Sequence, residues 1–224
     1  MTTRHLIGLV TGILILSILA PVGLSLWLAY RQVETKFMDE LDSYTSRVAL
    51  RTERVGEQAK KALRQIETFK GEPCGTEHLL EMRRLSYSYR YIQEVVYLKD
   101  NVPQCSSLEN KSRAVAFPAA MKVTEDGYRA WLTTENDLGI QRFMAALGSE
   151  NYVVMVDPAT FIDVVPFGSW PIDVAIIGAD KSRIVTSSGT LPEDILQNFQ
   201  QDNATTHLQK EGVIYNARPF PALG

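Results

Sequence analysis

The sequence predicts an α+β protein: an N-terminal transmembrane helix continuing into a long amphipathic helix, then an antiparallel sheet with short helices. Three observations carry this. Leu6 to Tyr30 is an unbroken uncharged run rich in Leu, Ile and Val. Residues 31–70 contain no proline and place apolar side chains at three- and four-residue steps. Beyond Pro73, strand–turn–strand patterns alternate with short helical ones.

The uncharged run comes first. As a helix rising about 1.5 Å per residue it crosses a hydrocarbon core of about 30 Å with length to spare. It is longer than the roughly 7–15 apolar residues of a cleavable signal. Its small-residue candidates also fail as cleavage sites: Ala20 is followed by Pro21, and Ala29 has Leu26 three residues before it. Residues 1–30 therefore read as a cytoplasmic tip and a retained signal anchor, with a kink expected at Pro21. Arg4 on one side and Arg31 and Lys36 on the other leave the charge rule balanced. The two cysteines, Cys74 and Cys105, both follow the anchor, and disulfides persist outside the cytoplasm. That places residues 31–224 outside, which means the periplasm if the organism is a Gram-negative bacterium.

The stretch 31–224 is long enough for one domain with its own core. Taking Arg4 from the 23 basic residues leaves 22 against 26 acidic ones, a net of −4. Such a mild acidic balance gives nucleic acid no electrostatic footprint.

The elements follow in order. Val33, Phe37, Leu41, Tyr44, Val48, Val55, Ala59, Ala62, Ile66 and Phe69 form one stripe of a long juxtamembrane helix over 31–70, ending near Gly71-Glu72-Pro73. Residues 71–224 supply the remainder of the domain. A second helix starts near Thr76, with Leu79, Met82 and Leu85 on one face. Tyr91 to Leu98 reads as a strand, Lys99-Asp-Asn101 as a turn, and Val102 to Ser106 as the returning strand. The passage around Pro118 reads as loop, and Tyr128 to Leu132 as strand. Ile140, Phe143, Met144 and Leu147 suggest a helix face ending near Gly148. Tyr152 to Val156 is β-rich, and Asp157-Pro158 is a helix start. Ile172–Ile177 and Arg183–Thr186 flank a hairpin turn at Ala179-Asp-Lys-Ser182. Thr190-Leu-Pro-Glu193 has the form of a capping box opening a helix through Phe199. A last hairpin turns at Glu211-Gly212 and returns from Val213 to Arg218.

Catalytic patterns are scarce. His78 and His207 stand in unrelated contexts, and there is no nucleophile elbow, phosphate loop or zinc-protease helix. Cys74 and His78 lack two further ligands at sensible spacing for a metal, so a satisfied or exposed His78 is expected, with no metal and no cofactor. Asp157, Asp163, Asp173 and Asp180 sit at turns or caps. The sequons Asn110-Lys-Ser112 and Asn203-Ala-Thr205 matter only in a eukaryotic secretory pathway.

The cysteine pair is the one place with chemistry. A Cys74–Cys105 bridge would close a loop of about 31 residues and stabilise by roughly 3–4 kcal/mol on the chain-entropy model. It reads either as a structural staple pinning the second helix to the first hairpin or as a redox switch. Physical argument alone favours the staple. The long helix likewise reads as a packing element or as a signalling and dimerisation stalk.

The order of features resembles the CSS-motif sensor domain found at the N-terminus of bacterial EAL-type cyclic-di-GMP phosphodiesterases. The resemblance rests on the anchor and long helix, then Glu72-Pro-Cys74 leading into Leu79-Leu-Glu-Met-Arg-Arg-Leu85, Tyr91 to Leu98, and Cys105-Ser106-Ser107. Tyr128-Arg-Ala-Trp-Leu132, Val153-Val-Met-Val-Asp157-Pro158 and Val213-Ile-Tyr-Asn-Ala-Arg218 continue it. It implies a periplasmic, redox-responsive input domain of α+β fold, similar in outline to other extracytoplasmic sensors. Cys74 and Cys105 would be oxidised by the thiol-oxidising machinery, the reduced form favouring phosphodiesterase output, with Ser106 and Ser107 completing the motif.

The family normally adds a second membrane helix and a cytoplasmic EAL domain. This chain stops at Phe220-Pro-Ala-Leu-Gly224 and holds no Glu-Ala-Leu motif. The expectation is a sensor fragment or a stand-alone inner-membrane protein that does not itself hydrolyse cyclic-di-GMP. Its expected partners are the membrane, an EAL domain in cis or in trans, the oxidising machinery and a second copy through the long helix. The competing expectation is a periplasmic small-ligand receptor with a purely structural disulfide.

Overall fold

The computed structural model describes residues 3–108, 116–134, 144–166, 171–178, 184–192, 195, 206–210 and 212–219. The chain divides into two compact units, Met1–Ser43 and Tyr44–Gly224. Helix α1, Thr3–Ile66, contributes to both.

In the first unit α1 contains a window of mean hydropathy 2.4 with none of its surface buried, long and apolar enough to cross a membrane. Three of its hydroxyls are satisfied locally. Thr11 Oγ1 donates to Ile7 O at 2.9 Å, Ser17 Oγ to Leu14 O at 2.8 Å, and Ser25 Oγ to Pro21 O at 2.8 Å. Such back-bonding satisfies these three hydroxyls within an apolar medium.

The second unit is built on a six-stranded antiparallel sheet. Its strands are β1 (Ile92–Lys99), β2 (Val102–Ser106), β3 (Lys122–Val123), β4 (Arg129–Thr134), β5 (Met144–Gly148) and β6 (Tyr152–Val156), in the order β2-β1-β6-β5-β4-β3. Against one face pack the end of α1, through Ala59, Ala62, Leu63 and Ile66, and helix α2 (Thr76–Ser88), through Leu79, Met82 and Leu85. They meet Ile92, Val95, Cys105, Leu147, Tyr152 and Val154 of the sheet. Leu63, Ile66, Met82 and Leu85 are at most 1% exposed, each worth about 1.5–3 kcal/mol of burial. Val96, Leu98, Trp131, Met144, Ala146, Val153 and Met155 form a second cluster that includes Phe117 of the β2–β3 connection. A third joins Val55, Tyr91, Ala145 and Val156 to Phe161 of the short helix α3 (Ala159–Ile162), Ile176 of β7 (Ala175–Ile177) and Val185 of β8 (Ile184–Ser187).

The β1–β2 hairpin turns on two residues, Asp100 (φ 52°) and Asn101 (φ 62°), the left-handed pair a tight hairpin demands. Pro103 is tolerated because β2 is an edge strand. The last hairpin pairs β9 (Thr206–Lys210) with β10 (Val213–Ala217), and Asp157 Oδ1 accepts from Ala159 N–H at 2.9 Å to start α3. Ala179–Ser182, Asn110–Ser112, Asn203–Thr205 and most of the expected Thr190–Phe199 helix lie outside the described residues.

One element is corrected. Of the helix face expected to end near Gly148, Met144 and Leu147 lie in strand β5, while Ile140 and Phe143 lie outside the described residues. All five residues of β5 are buried, because the sheet is covered on both faces there. A doubly covered strand loses the polar–apolar alternation that marks a strand, and Met-Ala-Ala-Leu has no β-branched residue to signal one.

Candidate functional site

The segment between α1 and α2 is short and tightly turned. Gly75 N–H bonds to Glu72 O at 3.1 Å, and Cys74 adopts φ 61°, a left-handed conformation costing about 1–3 kcal/mol for a residue with a side chain. Cys105 lies on β2 opposite Tyr97 of β1, its side chain turned toward the helices. Cys74 and Cys105 are joined as a disulfide with Cα atoms 5.8 Å apart, inside the normal range. The bridge thus ties the entrance of α2 to the sheet edge. Cys105 is 1% exposed, whereas Cys74 is half-buried.

His78 completes the corner. It occupies the first turn of α2, reaches back, and accepts from the Cys74 backbone N–H through Nδ1 at 2.9 Å. Gly75, the N-cap, offers the helix no side-chain cap, and His78 reaches past it to the backbone N–H of the residue before the helix. Because a backbone N–H only donates, Nδ1 must be the acceptor. Nε2 therefore carries the proton and donates to Tyr152 Oη at 2.9 Å. The ring stacks on Phe69 at 4.7 Å and meets Tyr97 and Tyr152 edge-on at 5.3 and 5.7 Å. It is fully buried, and burial holds the imidazole below its ordinary range and hence neutral. Burial also raises the Tyr152 hydroxyl to about 12, with Tyr97 and Glu67 adding to the shift. Of the two states expected from the sequence, satisfied or exposed, the fold contains the satisfied one. Its Tyr and Phe partners come from distant elements and were not foreseen.

Ser107 shares a strand side with Cys105, two residues away. Its Oγ accepts from Val95 N–H at 3.1 Å, lies 3.1 Å from Ser86 Oγ of α2, and its carbonyl accepts from Arg83 Nε at 3.1 Å. The disulfide holds one end of α2 and Ser107 the other. Ser106 takes the opposite side, its Oγ accepting from Leu108 N–H at 3.2 Å in the turn that follows.

The remaining candidates scatter. Asp163 pairs with Arg51 at 3.2 Å and Asp173 accepts from Ser188 Oγ at 3.1 Å. His207 is exposed on β9, and Asp180 lies outside the described residues. Among the described residues, the ligand atoms of Cys74, His78 and Cys105 form a group lying within 4.8 Å of one another. The sequence showed only two of the three, since Cys105 is brought in by the β1–β2 hairpin.

The family described as "CSS motif domain associated with EAL" matches residues 37–218. The chain is similar to the "Probable cyclic di-GMP phosphodiesterase PdeB" of Escherichia coli (strain K12), with 54% identity over 223 residues. The match covers 100% of this chain and 43% of that relative, so the chain spans less than half of the relative's length. No solved structure matches.

Proposed function

The chain belongs to the family of CSS-motif domains associated with EAL, and from that premise we propose that residues 31–224 are a periplasmic, redox-responsive input domain. Residues 1–30 anchor it in the inner membrane as a single span. The Cys74–Cys105 bridge controls a cyclic-di-GMP phosphodiesterase, which is supplied by an EAL domain in cis or in trans. The thiol-oxidising machinery makes the bridge. The length of α1 and the exposed Tyr30 and Val33 support pairing of two copies through this helix.

The observation that carries the reading is where the bridge sits. Cys105 packs in the same cluster as Ala62, Leu63 and Ile66, the last buried turns of α1. That helix also contains the membrane-length segment. Opening the bridge frees the segment that leaves α1 and loosens the seat of that helix. The output follows from α1 changing its seat, not from chemistry at the corner. The exposure difference supports an order of attack: an incoming thiolate reaches Cys74 Sγ, and Cys105 departs as thiolate.

The test is graded reduction of the chain in its native membrane, read by alkylation and mass spectrometry, beside cellular cyclic-di-GMP. A bridge that opens at a mild glutathione-like poise, with Cys74→Ser and Cys105→Ser both lowering cyclic-di-GMP, supports the switch. A bridge that opens only under strong reductant, with output indifferent to both substitutions, replaces it with a ligand receptor held by a structural disulfide.

A further inference from the structure

The cluster around the bridge has a second chemistry that appears only when the sulfurs part. We propose that the reduced domain binds one Zn2+ through Cys74 Sγ, Cys105 Sγ and His78 Nδ1, with water in the fourth position.

The geometry needs little change. The three ligand atoms already lie within 4.8 Å of one another. A tetrahedral zinc with sulfur ligands at about 2.3 Å and nitrogen at about 2.0–2.1 Å needs separations of about 3.5–3.8 Å between them. The sulfurs must therefore move apart, and Cys74, in a half-buried loop and held in a left-handed conformation, is the one placed to move. His78 exchanges the Cys74 N–H for the metal, while its other nitrogen keeps its bond to Tyr152 Oη. A ligating histidine oriented through its second ring nitrogen is the usual arrangement in zinc sites. The imidazole already has the tautomer that leaves Nδ1 free of a proton, and Phe69 holds its plane.

Charge decides the ion. Two thiolates beside a fully buried histidine are costly without a counter-charge. A divalent cation makes the group neutral, whereas a monovalent soft ion leaves one negative charge in an apolar corner. Sulfur and imidazole ligands suit zinc among the divalent ions.

The balance is simple. A dithiol reductant gives the disulfide two electrons and two protons, becoming a disulfide itself. Binding then releases both thiol protons to water, forms two Zn–S bonds and one Zn–N bond, and leaves zinc as Zn2+. The metal joins the same two segments as the disulfide, so zinc restores the tie that reduction removes and shields the thiols from reoxidation. Binding stands independently of the signalling role. Only the regulatory consequence, that zinc returns output to that of the oxidised form, rests on it.

The test uses the full chain in detergent, reduced with a phosphine that is then removed without air, and titrated with Zn2+ against a chromophoric chelator. One equivalent should bind the reduced chain and none the oxidised chain. X-ray absorption of the zinc form should show two sulfur ligands and a histidine nitrogen. Tyr152→Phe, which keeps the ring packing but removes the orienting oxygen, should weaken binding about tenfold, and His78→Ala at least as much. Zinc uptake equal to that of the Cys74→Ser/Cys105→Ser double variant overturns the proposal. So does an absorption spectrum with sulfur ligands but no histidine, which remains decisive if His78→Ala fails to fold. Zinc binding without any effect on cyclic-di-GMP would overturn the regulatory consequence and leave the site.

Discussion

The backbone N–H of Cys74 donates to Nδ1 of His78 at 2.9 Å, four residues along the chain. This bond fixes the imidazole tautomer, ties the turn before α2 to its first turn, and holds the half-bridge in its left-handed conformation. A residue that makes no bond to sulfur thereby sets the posture of the disulfide.

His78→Ala should therefore destabilise the oxidised chain by about 2–4 kcal/mol. The buried ring leaves a cavity among Phe69, Tyr97 and Tyr152, and the Cys74 N–H loses its partner. Denaturant unfolding monitored by tryptophan fluorescence measures the loss. The bridge should also open at a milder dithiol ratio than in the wild type, because the conformation that favours it is less restrained. Unchanged stability would mean that the ring is not the tie described.

Cys74→Ser and Cys105→Ser should each cost the oxidised protein about 3–4 kcal/mol, the closure entropy of a loop with a separation of 31 residues. The double variant should cost little more than either single one, since the first substitution already breaks the bridge. Reduced wild type should unfold close to the single variants in metal-free buffer. Additive losses would show that the cysteines act separately.

Much of this corner was legible in the sequence, and the limits have physical causes. The β1–β2 hairpin was readable because Asp100 and Asn101 mark a tight turn between β-rich runs. The α2 stripe was readable because one face meets the sheet while the other meets water. Strand β5 was misread, since burial on both faces erased its alternation, and β3 is only two residues long. His78 stood out beside Cys74 by spacing alone. Its environment was hidden, because Tyr97 and Tyr152 reach it only once β1 and β6 are paired, and their register sets Tyr97 opposite Tyr152.

Ser107→Ala should cost about 1–3 kcal/mol despite its small volume. The Ser107 hydroxyl takes the Val95 N–H beyond the end of β2, and alanine leaves that donor buried without a partner. Ser86→Ala should be less than additive with it, because the two hydroxyls share one hydrogen-bonded chain running on to Met82 O. A double-mutant cycle in denaturant measures this coupling. Full additivity would remove Ser107 as the second tie of α2.

The two thiols of the reduced, metal-free chain should differ in reactivity. Cys105 is 1% exposed inside the α1–α2–sheet cluster, whereas Cys74 lies half-buried in a loop. Access sets the rate when the two thiols share neighbours, so iodoacetamide should label Cys74 at least about tenfold faster than Cys105. The same asymmetry directs exchange. With Cys105→Ala, the Cys74 thiolate should attack an added glutathione disulfide and be trapped as the mixed disulfide, releasing one glutathione thiol. With Cys74→Ala, Cys105 should stay free until the domain is loosened by denaturant. Quenched-flow alkylation followed by peptide mass spectrometry reads both outcomes. Equal labelling of the two thiols would mean that the corner opens as a whole on reduction, and Cys74 would lose its place as the point of attack.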